Sequence, residues 1–442
     1  MRKTAEILTT EVGSTFTKLT CYVEQGGALV LGGQVVGLTT ITAEEGVVQG
    51  YRRCLAELES RFGIAHFGRR YLSSSAAGGL RIVVCGLTPN LTTKAALETA
   101  LGAGGVILKT VSGAITPSKA RDIEAINPNL VLLCGGLDDG EEDAVLDNAR
   151  VLADLRIDSI VIYAGNQAIR EEVRIAFTQA GKACVCTENV YPRVDEFRFE
   201  LVQNIIREVF EKDVVKAKGL EAIQEDNGLA IPTPLAVSLA MEVLATVVGD
   251  LVAIDIGGAT TDIHSIVTPN PMSRAIQATL EPRLKRTVEG DIGVFHNLKN
   301  LVAPDEEGEL AISSPFDERL DLRKFAQRAC RIALPRHAGT KVHAHNGQKP
   351  IDLIYGRDLS GVRTVVGTGG AIIHGFRDAG EFKEAFRDMP QGKLLPFPID
   401  RALIDKRYVL SSIGLLAGDW PAQAARFLEA EFDERSPGSN LR

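Results

Sequence analysis

Apolar positions along the chain follow two rhythms, and the change between them divides it. Residues 7–12 and 19–23 read as short strands on either side of the turn Gly13-Ser14-Thr15, and residues 29–36 supply a third strand. Segment 44–62, EEGVVQGYRRCLAELESRF, spaces its apolar residues at helical intervals and reads as an amphipathic helix. The small-residue stretch 73–79 then marks a boundary or an exposed loop. From residue 80 to about 190 the rhythm changes. Apolar runs such as LRIVVCGL, LVLLCGGLDDG and SIVIYAGN alternate with helix-like stretches such as TTKAALETALGA and EDAVLDNARVLADLR. Continuous apolar strands separated by helices predict βαβ units and a parallel sheet covered on both faces.

Beyond that segment, residues 196–227 read as a charged helical connector. A helix then starts near Pro234, because proline is tolerated in a first turn, and runs into the strand LVAIDIGGATTDIHSIV. Two charged, glycine-poor segments follow, around 281–291 and 305–318. ERLDLRKFAQRACRIALPRHAG predicts another helix, and RTVVGTGGAIIHGF a strand, a glycine-rich turn and a helix start. The tail reads as helical from Ser412. There is no repeat at solenoid periods. The N-terminus, MRKTAEILTTEVGST, reads as a strand rather than a signal peptide. No run of about 18 apolar residues is present, so no transmembrane helix and a cytoplasmic location are expected.

Composition adds three constraints. The 442 residues are long for one core and fit two or three domains. Fifty-seven acidic against 49 basic residues give a net charge of −8, which argues against a nucleic-acid partner. The 43 glycines against one tryptophan suit an α/β chain that meets phosphates with backbone amides. The seven cysteines are scattered. Cys85 and Cys134 sit in strand-like runs, as buried reduced thiols do. Cys184 and Cys186 read as an alternating strand with both thiols on one face; a metal or redox site would want a second Cys or His pair, and none is adjacent.

Three pieces carry candidate chemistry. The first is Thr10 to Lys18, a hairpin with Glu11, Gly13, Ser14, Thr15, Thr17 and Lys18 at or near its tip. The second is Asp255-Ile256-Gly257-Gly258-Ala259-Thr260-Thr261-Asp262, again strand, turn and strand. The third is Gly367-Thr368-Gly369-Gly370-Ala371, closing a strand and opening a helix. Glycines let the backbone approach a phosphate or sugar, hydroxyls add donors, and Lys18 adds a cation. Asp255 can hold a water on Mg²⁺, which takes hard oxygen ligands. Asp262 is read as pinning its turn. His264 is expected to point away along its alternating strand, and His337, His343 and His345 read as a solvated loop, as does the acidic run 305–307. Gly135-Gly136 and Gly165-Asn166 lie at strand ends where doubly wound sheets bind ligands, or they simply permit tight turns.

The order and spacing of the three pieces resemble the actin, hexokinase and Hsp70 superfamily of ATPases. Residues 232–240, PTPLAVSLA, match its first connecting helix, and residues 411–417, SSIGLLA, resemble the second. EVGSTFTK, SSAAGGLRIV, DIGGATTDIHS, RTVEGDIG and VVGTGGA, in that order, narrow the likeness to the glutamate mutase accessory protein family often called MutL or GlmL. The resemblance implies an α/β fold: two actin-like (ribonuclease-H-like) domains around a nucleotide cleft, with a doubly wound α/β insertion. It divides the chain into residues 1–74, first part of domain I; 75–195, the insertion; 196–248, connector and linking helix; 249–398, domain II; and 399–442, a return to domain I. It implies an ATPase of chaperone or reactivase type, with ATP and Mg²⁺ as cofactors and subunits of an adenosylcobalamin-dependent mutase as partners. No membrane partner is expected, and self-association stays open. Glu11 and Asp255 take the catalytic and Mg²⁺-organising places, through water. Gly13, Ser14, Thr15, Thr17, Lys18, Gly257, Gly258, Ala259, Thr260, Thr261, Gly367, Thr368, Gly369 and Gly370 take the nucleotide. Many members place Asp where this chain has Glu11, which moves the carboxylate outward by one methylene. A small-metabolite kinase and a non-enzymatic actin-like assembly protein remain rival readings of the same fold.

Overall fold

The computed structural model describes residues 3–432 except 14–15, 42, 77–79, 104, 195, 210–216, 259, 269–275, 279–280, 296–297, 303–320 and 347–348. Ser14, Thr15, Ala259 and the acidic run 305–307 therefore lie outside the described residues. The chain divides into two units, residues 1–25 with 30–235 and residues 26–29 with 236–442. Each is an α/β structure, and several sheets are present.

In the first unit, β1 (Lys3–Val12), β2 (Phe16–Gln25) and β3 (Ala28–Leu38) form an antiparallel meander, and β4 (Ile64–Ser74) pairs parallel with β1. Helix Val47–Phe62 connects β3 to β4 and buries Val47, Tyr51, Cys54 and Leu58, one face at helical spacing. It stops at Gly63, whose left-handed φ of 71° returns its amide to the Glu59 carbonyl.

The insertion follows as β5 (Arg81–Gly86), β6 (Val106–Ser112), β7 (Leu130–Leu133), β8 (Ile160–Tyr163) and β9 (Cys184–Cys186), all parallel, in spatial order β6-β5-β7-β8-β9. Its strands are apolar throughout because both faces are covered. Ile82, Val84, Leu130 and Leu132 pack with Ala95, Ala96 and Ala100 of helix Thr92–Gly102. Val83, Cys85, Val131 and Leu133 face the other way, onto Val145, Ala149 and Leu152 of helix Asp143–Asp154 and Val173 and Phe177 of helix Arg170–Gln179. The expected charged connector differs at its start. Helix Glu200–Val209 places Val202 and Ile206 in the first of these two cores, so its apolar face belongs to the insertion. β10 (Ala230–Pro232) then returns to β4, giving the order β10-β4-β1-β2-β3.

The second unit repeats that plan. β11 (Leu251–Ile256), β12 (Thr261–Ile266) and, after the short β13 (Ile276–Gln277), β14 (Leu284–Glu289) form the antiparallel part. β15 (Thr340–Asn346) and β16 (Lys349–Tyr355) make a hairpin that pairs with β13 as a separate sheet. β17 (Thr364–Thr368) and β18 (Arg401–Ile404) continue the main sheet in parallel, in the order β14-β12-β11-β17-β18. Its core packs Val252, Ile254, Ile256 and Ile263 against Phe325, Ala329 and Ala333 of helix Leu322–His337. Residues 399–442, expected to return to the first domain, instead supply β18 to this second sheet, followed by helices Leu410–Gly414 and Pro421–Glu431. Gly414 sits so close to the Ala236 carbonyl, on helix Thr233–Val248, that any side chain there would overlap it. Gly414 thus lets two helices cross at backbone distance. No helix among the described residues is long and apolar enough to cross a membrane.

Candidate functional site

The β10-β4-β1-β2-β3 sheet and the β14-β12-β11-β17-β18 sheet open with the same hairpin. In the first, the register pairs Glu11 with Lys18 and Val12 with Thr17, and the Gly13 amide closes the turn on the Phe16 carbonyl at 2.9 Å. In the second it pairs Asp255 with Asp262 and Ile256 with Thr261, and the Gly257 amide closes on the Thr260 carbonyl at 2.9 Å. Alternation along a strand sets which side chains share a face. Glu11 and Lys18 are on one face, and Lys18 Nζ lies 2.7 Å from Glu11 Oε2, with both side chains largely out of solvent. Ser73 of β4 is in register with Glu11, and its hydroxyl is fully buried with no hydrogen-bond partner among the described residues.

Thr17 goes to the opposite face. Its hydroxyl lies 2.9 Å from that of Thr39 and is buried, away from Lys18. Thr261 behaves alike in the second hairpin, donating to the Ile292 carbonyl at 3.2 Å. The two threonines hold their turns to a neighbouring segment, and their hydroxyls are not on the face of the acids. The carbonyls of Gly257 and Gly258 accept the amides of Val294 and Phe295, which back the second turn.

The acids at the matched positions have different surroundings. Asp262, opposite Asp255, is claimed by Arg286 of β14, whose Nε and Nη2 lie 2.8 and 2.6 Å from Oδ1. Thr260 Oγ1 also donates to Asp262 Oδ2 at 3.4 Å, so Asp262 pins its turn as expected. Asp255 is half-buried at the end of β11. Thr368 is in register beside it and donates at 3.0 Å to Asp405, a fully buried carboxylate that also accepts the Val409 and Leu410 amides at 2.8 and 3.0 Å. Gly369 follows with φ 82°, and a Cβ there would collide with the Asp255 carboxylate and the Ile256 backbone. Gly370 opens the short helix Gly370–Gly375 into open space. Gly367 is different: it lies inside the sheet, packed on Ile372 and Phe382.

His264 does not simply point away. It is fully buried on the Asp262 face, with Nδ1 2.9 Å from Ser238 Oγ, and burial beside Arg286 pulls its pKa down to about 4. His337 is no loop residue either. It ends helix Leu322–His337, buried, with Ser265 and Thr287 hydroxyls each 2.8 Å from its ring nitrogens, and burial holds it well below the usual histidine range. His343 lies exposed on β15, 2.6 Å from Asp352 of β16. No group of three His, Cys, Asp or Glu poised for a metal occurs among the described residues. In the insertion, Asn166 donates to the Gly140 and Glu141 carbonyls, and Asn189 to the Gly136 carbonyl and Asp138. The glycine turns there are stitched to one another.

Sequence reasoning missed Arg286, Asp405 and Ser73. An Asp just after an apolar strand and before a helix is a cap signal that points to Asp405. Arg286 is hidden within a segment that looks merely charged, and Ser73 within small residues that look like a loop.

A sequence model of the MutL protein family matches residues 7–324 and 312–432. Protein MutL of Clostridium tetanomorphum is 33% identical over 466 residues, covering 95% of this chain and 97% of its own. Among solved structures, a carbohydrate kinase from Novosphingobium aromaticivorans aligns at 10% identity over 94% of this chain and 98% of its own, with a TM-score of 0.26. The Ppx/GppA phosphatase of Aquifex aeolicus aligns at 12% identity over 97% of this chain and 93% of its own, with a TM-score of 0.21. On its relationship over nearly the whole sequence, the chain belongs to the MutL family.

Proposed function

We propose that the protein is an ATP-binding accessory or reactivating chaperone for an adenosylcobalamin-dependent mutase of the glutamate mutase type. In this reading ATP binding and hydrolysis drive the cleft-closure switch that the family resemblance implies. The observation that carries it is the repeated hairpin, with an acid, Glu11 or Asp255, one residue pair before a glycine-closed turn in each sheet.

The residues present fit Mg²⁺ and a nucleotide in two respects. Asp255 offers a half-buried hard oxygen donor at a strand end. The orphaned Ser73 hydroxyl lies in register with Glu11, and a buried donor without a partner is one that a ligand oxygen would satisfy. Bound Mg²⁺ would neutralise charge on the phosphates. Asp255 would hold it through water. Glu11 fixes where the Lys18 ammonium sits, and Lys18 carries that charge to the phosphates. Gly13, Ser14, Thr15, Gly257, Gly258, Ala259 and Thr260 are assigned to the phosphates, and Gly369 with Gly370 to the adenosine. Thr17, Thr261 and Thr368 act from behind, holding the turns in place through Thr39, Ile292 and Asp405.

Calorimetric titration of the purified chain with ATP and Mg²⁺ tests the first step: binding is expected, and no heat of binding ends the reading. Asp255→Ala hydrolysing ATP at the parent rate would remove Asp255 from the chemistry. Co-purification with a cobalamin mutase, with and without ATP, tests the partner.

A further inference from the structure

Among the described residues β9 is the edge strand of the insertion's sheet and pairs with β8. Cys184 and Cys186 lie two apart on it, so both thiols share a face, with their sulfurs 3.9 Å apart. Both are half-buried, whereas Cys21, Cys54, Cys85, Cys134 and Cys330 are buried. Helix Arg170–Gln179 packs on the same face and sets Arg170 and Arg174 near it, Arg174 being paired with Glu171. Arg170 is pinned beside the strand by its bond to the Thr187 carbonyl at 3.1 Å, and its own carbonyl lies 3.9 Å from Cys186 Sγ. We propose that Cys184 and Cys186 form a reversible dithiol–disulfide site that exchanges with small-molecule disulfides, Cys186 attacking first and Cys184 resolving.

The electrostatics choose the order. The Cys184 thiol beside it, together with the Arg170 and Arg174 charges, draws the Cys186 pKa down, while Cys184 is pushed up. The thiolate is the attacking form, so Cys186 reacts and Cys184 waits. Burial pushes Cys21, Cys85 and Cys330 up to about 12 and Cys54 up to about 11, which keeps them as inert thiols. Two residues of strand advance about 6.6 Å, at the long end of the roughly 4.4–6.8 Å that a disulfide spans between Cα atoms. Ring closure therefore needs a small backbone adjustment, which an edge strand allows, and the resulting bond is one that is easily reduced.

The exchange balances. The Cys186 thiolate attacks one sulfur of oxidised glutathione, forming a mixed disulfide and expelling one glutathione thiolate. Cys184 then loses its proton and attacks Cys186 Sγ, expelling the second. Two protein thiols are oxidised, one small disulfide is reduced, and two protons pass to the two released thiolates.

The full reduced chain incubated with oxidised glutathione and then digested with trypsin tests this, because peptide ACVCTENVYPR holds both thiols and no other cysteine. The peptide should lose two hydrogens and regain them with dithiothreitol, while the five buried cysteines stay unmodified. Cys184→Ser should stop at a glutathione adduct on Cys186, and Cys186→Ser should react at least about tenfold more slowly. A parent peptide that keeps both thiols, or that stops at the adduct, overturns the proposal, as does Cys186→Ser reacting at the parent rate. Retained protection of the buried cysteines in both variants verifies that they remain folded.

Discussion

The two hairpins place an acid at the same register and balance it in opposite ways. Glu11 meets a lysine across its strand pair, 2.7 Å away, whereas Asp255 meets a second carboxylate, Asp262. That second carboxylate is drawn aside by Arg286 from the next strand. The same backbone plan thus yields one internally neutralised acid and one whose cross-strand neighbour is neutralised for it. The first arrangement holds a cation in place. The second sets Asp255 half-buried at a strand end, where under the proposed function it would hold Mg²⁺ through water.

The strongest test of that contrast is stability. Glu11→Ala removes the carboxylate 2.7 Å from the buried Lys18 ammonium, which should cost about 3–5 kcal/mol. Arg286→Ala removes the guanidinium beside Asp262 in the same way and should cost a similar amount, about 3–5 kcal/mol. Asp255→Ala removes a carboxylate that is half-buried rather than enclosed, and should cost less, about 1 kcal/mol. Urea unfolding of the three variants reads the ranking. Equal losses for Glu11→Ala and Asp255→Ala would break the comparison.

Activity should rank the same residues in the reverse order. Under the proposed function, Asp255→Ala should lower ATP hydrolysis by about 100-fold or more, since a positioned charge at the reacting phosphate is typically of that size. Glu11→Gln keeps the shape of the side chain and removes only the charge that fixes Lys18. It should lower the rate less, by about tenfold. Phosphate release at saturating ATP measures both. A larger loss in Glu11→Gln would move the metal to the first hairpin.

Much of this plan is legible in the sequence, and the illegible parts share a cause. The insertion's strands stand out because both faces are buried and the apolar runs are unbroken. The hairpin tips stand out because glycine and hydroxyls cluster there. β14 does not, because LKRTVE is rich in charge: Lys285 pairs with Glu281 at 2.9 Å and Arg286 with Asp262, so charges that look solvated are buried in pairs. β15 reads as loop because Val342 and His343 are both exposed, which leaves no clean alternation to detect. The last sheet strand, Arg401–Ile404, lies in the stretch 399–442 expected to return to the first domain. Four residues are too few to stand out as a strand, and only the parallel pairing with β17 decides their sheet.

A further contrast separates the sheets by pH. The second sheet and the helix packed on it carry two buried histidines, His264 on β12 and His337 at the helix end. His264 is bonded to Ser238 and faced by Arg286 and Asp262. His337 is bonded to Ser265 and Thr287 and lies near Lys285, Arg357 and His264. The first sheet's strands hold one histidine, His66, and it is exposed. A buried histidine with a depressed pKa binds fewer protons folded than unfolded, so stability is full above the unfolded value of 6.5 and falls as pH drops towards about 4 for His264. The loss is about 1.4 kcal/mol for each pH unit in that window per histidine. Hydrogen exchange at about pH 7 and about pH 5 should show β12 and β14 losing protection while β1 and β4 hold theirs through this mechanism. His264→Gln keeps a side-chain hydrogen-bonding group near Ser238 and removes the titration, so its stability should fall less steeply over the same range. An unchanged slope would mean that His264 is not the group that titrates, and the acid sensitivity of the second sheet would then rest on His337.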